Sequence, residues 1–175
     1  MRRLRALMVM VPLAALTTAG FCTPRGTAPE PDQCSTPAMT RGALTVEVGP
    51  YEYDQPFRAF VDGDQIAKVR GGQGGEMVAY RLRVSGADAP ACLAQVATLS
   101  TESGQQLVRL DVPLTTYAEG AERTTRQTYL IFPGLAPVTG TKVRLAVEAG
   151  GTRVERLLTL VDFIVSDPLD LSLRD

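Results

Sequence analysis

The chain of 175 residues has no histidine and no tryptophan, and only three cysteines. Without histidine there is no Ser-His-Asp or Cys-His arrangement, and the most common general base and metal ligand are both missing. A zinc or copper site would need cysteines and carboxylates alone, and three separated cysteines do not make a tetrahedral site. Long apolar runs are equally scarce. The one run, Ala6 to Leu16, falls short of the ~20 residues that span a bilayer as a helix, and Pro12 interrupts it. No internal repeat is present.

That run has a basic start, Met1-Arg2-Arg3 and Arg5, and a small-residue exit, Thr17-Thr18-Ala19-Gly20. Together these are the n-region, h-region and cleavage region of an export signal over 1–20. Arg2 and Arg3 hint at the twin-arginine route, but Arg5 stands where that route wants an apolar residue, which favours ordinary Sec export. Two fates stay open. A cut after Gly20 leaves a soluble protein beginning at Phe21. Alternatively Cys22 is the lipidated cysteine of a lipoprotein, although the large Phe21 precedes it where a small residue is the rule. Cysteine parity supports the anchor. Lipidation of Cys22 leaves Cys34 and Cys92 to pair, closing a loop of roughly 60 residues worth about 4 kcal/mol in the chain-entropy model. The rival pairing is Cys22–Cys34, with Cys92 a buried free thiol in the apolar stretch Ala91-Cys92-Leu93-Ala94.

Export changes the charge as well. The whole chain carries 18 Lys+Arg against 19 Asp+Glu. Loss of Arg2, Arg3 and Arg5 leaves 15 against 19, a net charge of −4, which is no footprint for nucleic acid. Residues 21–41 read as a tether, with Pro24, Pro29, Pro31 and Pro37 favouring extended chain. Residues 42–175 then form one domain by length.

Beyond Ala43 the apolar residues recur with period two. The expected strands are Leu44–Val48, Phe57–Val61, Gln65–Val69, Met77–Val84, Cys92–Leu99, Gln106–Val112, Gln127–Phe132, Lys142–Glu148 and Arg153–Val165. In Met77–Val84, residues Val78, Tyr80, Leu82 and Val84 point inward and Arg81 and Arg83 point to water, the pattern of a half-solvated antiparallel sheet. Thr101-Glu102-Ser103-Gly104 is a turn, and Gly150-Gly151 is a hairpin signal. Residues 115–126, rich in threonine and charge, read as a long exposed loop. Eight or nine short strands without a long helix predict an all-β, antiparallel immunoglobulin-like sandwich, though one without the buried tryptophan of that fold.

Several motifs invite chemistry and are weighed against plainer readings. Gly71-Gly72-Gln73-Gly74-Gly75 can present amides to an anion, but it lacks the Gly-Lys-Ser/Thr ending and enters a strand, so an inter-strand crossover is expected. Asp62-Gly63-Asp64 has the spacing of a calcium loop without the further acidic ligands, and reads as a turn. Asp167, Asp170 and Asp175 read as a solvated tail. Asp111, Glu119 and Glu122 are the only carboxylates considered for glycoside hydrolysis. Tyr51 and Tyr53 flank Glu52 and are read as packing residues. The best candidate binding surface is the 115–126 segment, with Tyr117, Arg123 and Arg126.

The stretch Val69-Arg70-Gly71-Gly72-Gln73-Gly74-Gly75-Glu76-Met77-Val78 resembles a Gln-Gly-Gly step before a strand in uncharacterised exported proteins and lipoproteins of predatory soil bacteria. The likeness covers about 25 residues, and what it implies is an immunoglobulin-like exported module without an assigned activity. The reading is therefore a non-catalytic domain at a bacterial cell envelope, in the periplasm or on the outer-membrane surface. It needs no cofactor, and it binds an envelope protein or glycan through its loops. A structural subunit of an envelope assembly is the alternative, and a small carboxylate hydrolase the third.

Overall fold

The structure is a computed structural model that describes residues 33–37, 44–51, 56–71 and 73–162. The export signal, Cys22, Tyr53 and the C-terminal aspartates lie outside the described residues. Nine strands follow one another: β1 (Thr45–Gly49), β2 (Gln65–Arg70), β3 (Glu76–Ser85), β4 (Cys92–Thr101), β5 (Gln106–Glu119), β6 (Glu122–Thr125), β7 (Thr128–Ile131), β8 (Lys142–Ala149) and β9 (Thr152–Asp162). The all-β reading holds.

The immunoglobulin-like sandwich does not. Hydrogen-bonded neighbours run β3-β2-β9-β8-β4-β5-β6 and return to β3, a closed ring of seven strands. A sandwich keeps two sheets with separate edges. Here β3 and β5, of 10 and 14 residues, are long enough to serve both sheets, so their far ends meet through β6. Seven strands cannot alternate direction all the way round, and the ring has one parallel pair, β2 with β9 (Gln65↔Thr159 to Lys68↔Asp162).

β1 and β7 lie outside the ring, and both pair with β3. β7 continues the line of β6 along one edge of β3 with a one-residue slip, from Arg83↔Thr124 to Tyr80↔Thr128. At the slip the Leu82 N–H donates to Thr125 Oγ1 at 2.9 Å, so no backbone donor is stranded.

The inward residues of β3 are those the alternation indicates: Val78, Tyr80, Leu82 and Val84 are fully buried, against Leu93, Leu99, Leu145 and Leu158 of the opposite wall. The outer face departs from expectation. Met77, Ala79 and Arg81 are buried too. Arg81 donates from Nε to the Pro50 carbonyl at 3.1 Å, and its guanidinium lies 5.3 Å from the Phe57 ring centre. Arg83 lies 4.6 Å from the same centre and pairs with Glu47 at 2.7 Å and Glu122 at 3.4 Å. The covering chain, 56–61, was expected as a strand and is an extended crossover without ladder pairing, tied to β1 by Phe60 N–H to Val48 O at 2.8 Å. Its aromatic residues pack across β3 and into the core, which gives the same sequence pattern as an edge strand.

Two hairpins have two-residue loops. Gly150 and Gly151 both have positive φ (54° and 82°), as a type I′ turn requires. Between β5 and β6, Gly120 alone has positive φ (63°), the type II′ arrangement. Residues 115–126 are therefore a paired hairpin and not a long loop. The β-branched threonines that read as polar loop are strand formers, with Thr116↔Thr125 and Tyr117↔Thr124 opposite each other.

One polar pair sits inside the barrel: Tyr80 donates its hydroxyl to Gln95 Oε1 at 3.0 Å, with both residues buried. Burial pushes the Tyr80 phenol well above its ordinary value of 10.0. The unfolded chain ionises this phenol above about pH 10, while the folded chain does so only at higher pH. Stability is therefore complete below that pH and falls as pH rises through it. Tyr80→Phe is expected to flatten this alkaline decline at a cost of about 1 kcal/mol at neutral pH. Urea unfolding measured across the alkaline range checks both.

Candidate functional site

The strand order β5-β4-β8-β9 places one residue from each strand in a row on the outer face: Asp111, Val96, Glu148 and Arg153. Val96 is opposite Asp111 on one side and Glu148 on the other. Ala94, two residues earlier on β4, is exposed beside it. Small aliphatic side chains thus lie between longer charged ones, and an open groove of about 620 Å³ results. The Gly150-Gly151 turn bounds one end and Pro37 one side.

Pro37 reaches this face because of the disulfide. Cys92 opens β4 on the outer side, and it is bonded to Cys34 with the Cα atoms 5.7 Å apart. The preceding Gln33 bridges Leu114 of β5, and Cys34 N–H donates to the Pro113 carbonyl at 3.4 Å. Of the pairings left open by the sequence, Cys34–Cys92 is the one formed.

The rim is an ion-pair lattice. Arg153 bonds Glu148 and, at 3.0 Å, Glu155; Arg144 bonds Glu155 at 2.6 Å; Arg109 lies 3.4 Å from Asp111. The Arg144 hydrogen bond first, and Arg153 second, hold the Glu155 carboxyl below the usual carboxylate range. Pairs this exposed add little to the stability of the fold; their effect is to present alternating charge. The one hydroxyl in the lining, Thr152 Oγ1, donates to the Leu44 carbonyl at 2.8 Å, so it is committed to the backbone. Among the described residues no cluster of three or more acidic or thiol side chains is placed to hold a metal.

The chain matches no family model, no curated protein and no solved structure.

Other sequence candidates are dispersed. Tyr117 and Arg126 meet on the outer face, with the guanidinium 4.7 Å from the ring centre. Arg123 is separate, turned toward Thr116, where Nε donates to Oγ1 at 2.7 Å and a terminal nitrogen to the carbonyl at 2.6 Å. Glu119 and Glu122 are opposite each other across the β5–β6 turn. Asp111 lies eight residues back along β5, roughly 26 Å away at strand rise, so the three carboxylates share no cleft. Asp62 Oδ1 accepts the Leu157 N–H at 2.9 Å, and Asp64 Oδ2 accepts Val61 N–H at 2.9 Å and Arg58 at 2.6 Å. Those bonds, the Val61 one foremost, hold the Asp64 carboxyl below its ordinary value. The Gly71–Gly75 loop folds on itself, Gly71 N–H to Gly75 O at 2.8 Å and Gly74 N–H to Gly71 O at 2.9 Å, which spends two of its amides within the loop.

The groove was missed by sequence reasoning. Its signal was present in Ala94 and Val96, apolar residues at the outward positions of an otherwise alternating strand, two and four residues after a cysteine.

Proposed function

We propose that this protein is a non-enzymatic binding module of an exported bacterial protein, and that its outer-face groove takes an extended protein segment. The observation that carries the reading is the pairing of an aliphatic floor, Ala94 and Val96, with a rim of alternating charge, Asp111, Glu148 and Arg153. Such a surface accepts an apolar side chain and fixes its orientation by charge. The lining has no aromatic ring on which a sugar would stack, which favours a protein ligand over a glycan. The disulfide supports export, since such bonds persist in oxidising compartments. Anchoring by lipid at Cys22 belongs to the same reading, and the Pro-rich stretch would then hold the barrel away from the membrane.

The test is selection of ligands from a displayed peptide library on the purified protein, with a parallel glycan array. The expected result is peptides with an apolar residue beside charge. Their amide-shift changes should map to Ala94, Val96 and Glu148, and Ala94→Arg should weaken binding about tenfold or more, the loss of one well-packed contact. Ligands that perturb only the Tyr117–Arg126 face, or that bind Ala94→Arg equally well, would refute the assignment.

A further inference from the structure

β5 is the longest strand, and its two edges are treated differently. Along one edge it pairs with β4 from Gln106 to Thr115. Along the other, β6 covers Thr116–Glu119 and Gln33 bridges Leu114. Among the described residues, nothing pairs with that second edge between Gln106 and Val112. The direction of its hydrogen-bonding groups follows from Pro113, whose carbonyl faces this edge and accepts Cys34 N–H. By strand alternation, Asp111 and Arg109 also aim their N–H and C=O groups there, as far as the bulge at Leu107 where the register with β4 shifts. The inward residues Val108, Leu110 and Val112 are only half-buried, unlike the inward residues of β4 and β8. A row of unpaired backbone groups beside incompletely covered aliphatic side chains is a template for another strand.

The sequence of this edge is complementary to itself. In Val108-Arg109-Leu110-Asp111-Val112, antiparallel pairing about a two-fold axis at Leu110 sets Arg109 opposite Asp111 of the second copy, and Asp111 opposite its Arg109. On the inward face the same register sets Val108 opposite Val112 and Leu110 opposite Leu110. It also makes Arg109 and Asp111 the hydrogen-bonded pair, the two residues whose backbone groups face outward. Side-chain face, charge and hydrogen-bond phase thus agree in one register, and a shift by one residue breaks all three.

We infer that the occupant of this edge is a second copy of the chain, giving a two-fold dimer in which β5 pairs with β5 and the outer sheet faces become continuous. Asp111 also lines the groove, but the contact calls for no groove ligand, and an isologous contact needs only one self-complementary patch.

Sedimentation equilibrium on the purified protein, with the disulfide intact, tests it. Wild type is expected to be a monomer–dimer mixture. Arg109→Asp or Asp111→Arg alone sets like charges opposite at two places per dimer and should weaken dimerisation about tenfold or more. The exchange R109D/D111R restores opposite charges in the same register and should recover wild-type dimerisation. Both positions are exposed on the strand, so the variants keep the core, and the Tyr80-dependent alkaline unfolding serves as the check on folding. A wild-type chain that stays monomeric, as it would if the edge served a strand of a different protein, overturns the inference. So does a dimer indifferent to the single reversals, or an exchange that fails to restore it.

Discussion

Reducing the Cys34–Cys92 bond, or replacing both cysteines by alanine, is expected to lower stability by about 4 kcal/mol and the thermal midpoint by about 10 °C. The two cysteines are 58 residues apart, and in the unfolded chain the bridge forbids most separations of that long loop. The folded side of the comparison adds little to compensate. Apart from the disulfide, the segment Gln33–Pro37 is held, among the described residues, by its bridge to Leu114, in which the Cys34 N–H to Pro113 carbonyl bond is long at 3.4 Å. Freed of the bond, it should leave the sheet and take Pro37 with it. The groove then loses a side, and peptide binding should weaken together with stability. Calorimetry with and without reductant, beside ligand titration of C34A/C92A, reads both. A midpoint indifferent to reductant would mean that the tail is held by contacts other than these.

Gly49→Ala is expected to cost about 3 kcal/mol, the upper range for forcing one methyl group into a packed site. A Cβ at this position would stand 2.1 Å from the Arg58 carbonyl oxygen and 3.1 Å from the Phe57 ring. No positive φ is involved, so the cost is steric and not conformational. Nor can the obstacle yield cheaply. It is backbone, tied to β1 by Phe60 N–H, anchored by the buried Phe60 side chain, and followed by the Asp62-Gly63-Asp64 turn bound to β9. If the crossover lifts, Phe57 leaves the guanidiniums of Arg81 and Arg83, and a buried arginine loses its cover. Gly134→Ala is the control: nothing lies within 4 Å of its Cβ and its φ is not positive, so a change within about 0.5 kcal/mol is expected. Urea midpoints of the two variants make the comparison, and equal midpoints would mean that the crossover is loosely held.

Much of the strand inventory was legible because alternation reports burial directly. Val78, Tyr80, Leu82 and Val84 face the core as their spacing indicates, and Gly150-Gly151 makes the turn that two glycines favour. Closure was not legible. Period two states which face of a strand is buried but not which strand lies beside it, so a sandwich and a barrel share one pattern. Arg81 was misread for a related reason. A charged residue at an outward position reads as solvated unless a remote segment covers it, and Phe57 is 24 residues away. The 115–126 hairpin was hidden by weighing the polarity of its threonines above their branched Cβ. At the groove, Val96 is informative only once Asp111 and Glu148 are known to be its cross-strand neighbours, and that knowledge requires the register.

The parallel β2–β9 pair sets an order on assembly. Gln65 meets Thr159, and among the described residues no earlier strand takes that edge of β2. Any process that delivers the chain from its N-terminus, whether synthesis or threading through a membrane channel, must present nearly all of it before the ring can shut. Until β9 is present, β2 and β8 have no strand between them and the ring is open. Cys34 and Cys92, by contrast, have both emerged when barely half the chain is out, so a thiol oxidant at the exit meets them before the interior is sealed. The covalent link can thus precede the closure it later reinforces.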